Sequence, residues 1–185
     1  MRSAYIDGRR GMQGGNAALE FAAVCVVLFS FIFGTMELAR ALYLWNTLAE
    51  VVNRAARMAA FANPADMAVV RQQAMFQDGA AGQLPLGGGI KDTYLRIEYL
   101  AANQSTVVAA PACPVQNLIN CTNAPLGATC IRFVRVRLCL PDTNCTQVPF
   151  EPMVGLTALK GLKMTLPTFA TVVAAESLGL PAACP

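Results

Sequence analysis

The sequence predicts an α+β protein: a long N-terminal helix, apolar in its first half and amphipathic in its second, packed on a small antiparallel β-sheet domain. Three observations carry this. An uncharged, strongly apolar run extends from Phe21 to Met36. After it, apolar residues recur at spacings of three and four as far as Ala59, which is the period of a helix face. From Thr93 the period changes to two, as in half-buried strands.

The first fifteen residues are polar, hold Gly8, Gly11, Gly14 and Gly15, and show no helical period. They read as a cytoplasmic leader rather than as part of the fold. The formal net charge is +3; three Arg and one Asp in the leader account for +2, leaving +1. So small a charge gives no basis for nucleic acid as a partner. The arginines precede the apolar run, which predicts a cytoplasmic N-terminus and a domain on the far side of the membrane.

Residues 16–36 are the predicted transmembrane helix. Ala17 to Met36 as helix spans about 30 Å, enough for a bilayer core. Glu20 is the exception in this segment, because a carboxylate in lipid is costly and needs a partner. Cutting the chain after Gly15 creates one, a new amino group on Asn16.

Residues 37–62 are expected to continue the same helix outside the membrane, giving one rod of about 70 Å from Asn16 to Ala62. Leu38, Leu42, Trp45, Ala49, Val52, Ala56 and Ala59 form one stripe along it. Packing against the protein's own sheet is the simpler reading of that stripe, and a coiled-coil seam for a partner is compatible with it. Pro64 ends the helix. Asn63, Pro64 and Asp66 then supply an N-cap, a first-turn proline and a first-turn acid for a second helix to about Phe76. Met67, Val70 and Ala74 are its expected inner face.

Residues 63–185 are expected to form the outer domain. Gly79, Gly82 and Gly87-Gly88-Gly89 mark a linker, since no strand–loop–Lys-Ser/Thr context accompanies the glycines. Leu95 and Ile97 alternate with Arg96 and Glu98 in a first strand. Residues 102–129, with Pro111, Pro114 and Pro125, read as a loop stapled by disulfide. Cys130 to Leu140 is the clearest strand, and its apolar phase slips at Phe133-Val134, predicting a bulge. Arg132, Arg135 and Arg137 fit a solvated strand face or a charged edge. Leu156–Leu162 suggests a short turn or strand, and Lys163–Glu176 a last strand with Pro167 at an edge or end.

Seven cysteines are present. Cys25 sits in the apolar span as a small apolar residue. Cys113, Cys121, Cys130, Cys139, Cys145 and Cys184 are an even set beyond the membrane, consistent with up to three disulfides. Cys139–Cys145 across Leu-Pro-Asp-Thr-Asn and Cys113–Cys121 are two local possibilities, and Cys184 needs a distant partner. With no His and no Cys-x-x-Cys, no metal site or cofactor is expected. No nucleophile–base pair assembles either, so the chain is not expected to be an enzyme.

Gly15, the four residues to Glu20-Phe21 and the apolar helix resemble the processing site of type IV-like prepilins. Ala39-Arg40, Tyr43 and the run Asn53–Ala60 extend the likeness. Together these resemble the TadE-like minor pseudopilins of tight-adherence (Flp, type IVb-like) pilus systems. The resemblance covers roughly the first third of the chain and is weaker in the strand region. It implies cleavage between Gly15 and Asn16 by a prepilin peptidase, with Glu20 and Phe21 serving assembly. It also implies other pilins, an inner-membrane platform and a secretion ATPase as partners. The location implied is the bacterial inner membrane, single pass, with incorporation into a pilus as a further expectation. Two other classes fit the residues alone. One is an unprocessed single-pass interaction protein, and the other a secreted disulfide-rich domain released near residues 39–41. The length of the mature chain separates the three.

Overall fold

A computed structural model describes residues 13–76, 83–111, 113–152 and 165–180. The chain divides into two compact units, Met1–Ala41 and Leu42–Pro185. The leader residues 1–12, the expected element at Leu156–Leu162 and Cys184 lie outside the described residues.

One helix, α1 (Gln13–Phe61, 49 residues), supplies the described part of the first unit and opens the second. Large straight-chain and apolar residues with no internal proline favour it. In the first unit its apolar side chains are exposed, Phe21 and Phe31 each to 71%. In the second unit Leu44, Leu48, Val51, Val52, Ala55, Ala56, Ala59 and Ala60 are buried. The buried face therefore corrects the predicted stripe. Val52, Ala56 and Ala59 belong to it, but Leu38, Leu42 and Trp45 are exposed. A three-four repeat cannot fix its own rotation where two apolar faces lie side by side; the sheet chooses between them.

The helix stops where Pro64 requires. Asn63 Oδ1 accepts from the Ala65 amide at 3.0 Å, and a 3-10 turn, Pro64–Asp66, leads into α2 (Met67–Ala74). Val70 and Ala74 are buried and Met67 is partly so, as expected of the inner face. The last carbonyls of α1 are capped from far away: Ala60 O accepts from the amides of Glu176 at 3.1 Å and Leu178 at 3.2 Å. Gly179, at φ +89°, passes so close that an added Cβ would lie 2.8 Å from Asn63 Cα.

Four strands form one antiparallel sheet in the order β2-β1-β3-β4. They are β1 (Leu95–Leu100), β2 (Val107–Val108), β3 (Phe133–Leu138) and β4 (Ala170–Ala174). Leu95 and Tyr99 from β1, with Val134, Val136 and Leu138 from β3, join the α1 residues in one core. Thr171 on β4 donates its hydroxyl to Asn53 Oδ1 on α1 at 2.7 Å. This is the α+β arrangement that the change of period predicts.

Three expectations need correction. The β1–β3 ladder is unbroken from Leu95↔Leu138 to Leu100↔Phe133, so there is no bulge; β3 begins at Phe133, and the apparent phase slip is the entry into it. Residues 102–129 are not simply a loop. They hold β2, reached through an Asn103 turn in which Oδ1 accepts from the Ser105 and Thr106 amides, and a helix, α3 (Pro114–Asn123). The last strand is shorter than Lys163–Glu176, covering Ala170–Ala174.

Candidate assembly segment

The segment singled out by sequence lies in the first turns of α1. Asn16 and Glu20 are four residues apart on one helix, so they share a face, one turn between them. Asn16, Glu20 and Phe21 are all exposed. The other polar side chains of the apolar run are satisfied by the helix itself. Ser30 donates to Val26 O at 2.7 Å and Thr35 to Ile32 O at 2.8 Å, the arrangement that a hydroxyl needs in lipid. Sequence reading passes over both residues, although the i−4 and i−3 carbonyls are where helical hydroxyls routinely turn.

Glu20 differs. Among the described residues no hydrogen bond or ion pair to its carboxylate is present, and the residue is exposed. The next charges, Glu37 and Arg40, pair with each other at 3.4 Å, with side chains 17% and 9% exposed. Eighteen consecutive residues of α1 reach a mean hydropathy of 2.3. The helix is long and apolar enough to cross a membrane.

The cysteines sort differently from the candidate pairs. Cys139 and Cys145 are bonded, with Cα atoms 4.9 Å apart, across the turn noted in the sequence. Cys121 bonds Cys130, with Cα atoms 4.7 Å apart, which overturns Cys113–Cys121. The reason is α3: its Asn117 holds Ile131, accepting from the amide at 2.8 Å and donating to the carbonyl at 3.3 Å. That brings the helix's Cys121 against the residue before Ile131. Cys113 is disulfide-bonded, and Cys25 is free. Among the described residues no cluster of three or more potential metal ligands occurs.

The outer face of the sheet carries the arginines of β3. Arg135 and Arg137 both pair with Glu98 of β1, at 2.7 Å and 2.8 Å. Arg96 donates to the carbonyls of Asp142 and Thr143, holding the Cys139–Cys145 turn against the sheet. Asp142 in turn accepts from the Thr146 hydroxyl and amide. Those two hydrogen bonds hold its pKa below the ordinary carboxylate value. These contacts give Arg135 and Arg137 a structural role, and because β3 lies between β1 and β4 the charged-edge alternative does not hold for it; Arg132 precedes the strand and is exposed.

Among the described residues, one membrane-capable helix and a disulfide-bonded α+β domain define the class of protein. Residues 15–57 match the family model described as TadE-like protein. The segment that carries the prepilin-like residues is therefore TadE-like, and the match begins at Gly15. No curated protein and no solved structure matches the chain.

Proposed function

We propose that the protein is a minor pseudopilin of a tight-adherence pilus system. A prepilin peptidase cuts it between Gly15 and Asn16, and the apolar part of α1 holds it in the inner membrane until it enters or primes a pilus. The TadE-like match over residues 15–57 supports the pilus system. The observation that carries the role is Glu20, an exposed carboxylate at the head of the uncharged stretch Phe21–Met36 of α1, one turn from the amine that cleavage would create.

Neither charge is stable alone in lipid. Pairing the Glu20 carboxylate with the Asn16 amine of a neighbouring subunit lowers the cost of desolvating both. Such a pair sets an axial stagger between subunits, because each helix then has one position relative to the next. The arginines before the span keep the leader in the cytoplasm, where the peptidase and the assembly platform act, and put the disulfide domain on the oxidising side. The chain is the substrate of an enzyme in this reading and performs no reaction itself.

The test is the N-terminal sequence of the membrane-extracted protein from cells with and without prepilin peptidase. A start at Asn16 that depends on the peptidase is expected. An intact Met1, or a start near residue 40 in both strains, would overturn the proposal.

A further inference from the structure

The exposed side of α1 changes character at one point. From Phe21 to Trp45 its large exposed side chains are apolar or aromatic, ending in Leu42 (57% exposed), Tyr43 (43%) and Trp45 (55%). Beyond Trp45 the exposed positions are Asn46, Glu50, Arg54 and Arg57, until Phe61 in the final turn. The exposed side of the helix is thus apolar before this point and largely polar after it.

Helix arithmetic puts the change where a bilayer ends. Counted from Glu20, a hydrocarbon core of about 30 Å takes about twenty residues and reaches Arg40, which the Glu37 carboxylate pairs. Tyr43 and Trp45 fall in the next turn. That is the headgroup layer, where aromatic rings with one polar atom are most at home. Their placement around the helix favours lipid over a protein partner. Two residues apart, they lie about 200° from each other, so they open on nearly opposite sides. A partner helix covers one side, whereas lipid surrounds. The Trp45 ring is also held in place, edge-on to Phe169 with centroids 6.1 Å apart, while more than half of its surface stays open.

We propose that Leu42, Tyr43 and Trp45 are an interfacial lipid anchor that sets how far α1 is drawn through the outer leaflet. This rests on the reading of α1 as membrane-spanning. Trp45 is the sole tryptophan of the chain, so its fluorescence reports the site directly.

The experiment places the full chain in phosphatidylcholine–phosphatidylglycerol vesicles whose acyl chains carry bromine either near the carbonyl end or near the midplane. Trp45 is expected to be quenched about twofold more by the shallow bromine than by the deep one, as an interfacial ring should be. A Trp45→Phe, Val27→Trp double variant is expected to reverse that order, which calibrates depth. Vesicle flotation separates the failures. A chain that does not float overturns the membrane-spanning reading and the anchor with it. A chain that floats, but whose Trp45 is quenched by aqueous acrylamide and by neither bromolipid, overturns the anchor alone. Blue-shifted emission that no quencher reaches overturns it too, in favour of a protein contact.

Discussion

Arg135 lies directly opposite Glu98 in the ladder between β3 and β1, and its guanidinium meets the Glu98 carboxylate at 2.7 Å. Arg137, two residues on, reaches the other oxygen at 2.8 Å. One carboxylate thus keeps two like charges on the same strand together.

Burial pushes the Glu98 pKa up, but the hydrogen bonds and charges of Arg137 and Arg135 together outweigh it and leave the pKa lowered. A lowered folded-state value means that the stabilisation is present above the ordinary carboxylate pKa, near 4.3, and is lost as pH falls through the folded value. Glu98→Gln is expected to cost about 1–3 kcal/mol at neutral pH, with the gap to the wild type closing in acid. Denaturation midpoints of the full chain in detergent at pH 7 and pH 3 measure it.

Tyr99 offers the opposite case. It is 5% exposed, its hydroxyl has no hydrogen-bond partner among the described residues, and burial pushes its pKa up to about 12. A raised value stabilises the fold fully below the unfolded-state pKa, about 10, and the contribution disappears as pH rises towards 12. Tyr99→Phe is expected to be unchanged or more stable by up to about 1 kcal/mol at neutral pH, because an unpaired buried hydroxyl is removed. The part of the alkaline loss that belongs to Tyr99 should also vanish, as parallel base titrations of the two proteins would show.

The Cys121–Cys130 and Cys139–Cys145 disulfides should fail in different places. Cys121–Cys130 closes a separation of nine residues and Cys139–Cys145 one of six, each worth about 2–3 kcal/mol by loop entropy. Replacing Cys121 and Cys130 by Ser is expected to expose α3 and the Ile131 amide to hydrogen exchange. Replacing Cys139 and Cys145 should instead loosen the turn that Arg96 holds, leaving α3 protected.

On the proposed pseudopilin function, Glu20→Gln separates processing from assembly. The variant is expected to be cut after Gly15 like the wild type but to fall at least about tenfold in the sheared filament fraction, since an amine left alone in lipid costs several kcal/mol. Immunoblots of membrane and filament fractions give both readings.

Much of this architecture is legible in the residues. Pro64 after Asn63 marks the end of α1 because proline cannot continue a helix, and the alternation from Leu95 to Tyr99 marks β1. The pairs that lie outside sequence reach are tertiary. Whether Leu42 or Leu44 faces inward depends on where the sheet settles. Helix α3 is hidden because Asn117, Asn120, Thr122 and Asn123 are poor helix formers; Pro114 at its first turn is the available signal, and it serves a loop equally well. Once Asn117 binds Ile131, the Cys121–Cys130 bond follows from proximity, which residue spacing alone does not convey. In the candidate segment the lone carboxylate of Glu20 is visible from the sequence, while the self-satisfied Ser30 and Thr35 require the helix to be seen.

The cap on α1 has a consequence for biogenesis. The helix is synthesised first, yet the Ala60 carbonyl waits for the amides of Glu176 and Leu178, and the Phe61 carbonyl for the Ser177 hydroxyl, 116 residues later. A chain truncated before residue 176 therefore keeps α1 but lacks the groups that close its C-terminal end, and local opening is expected to begin there.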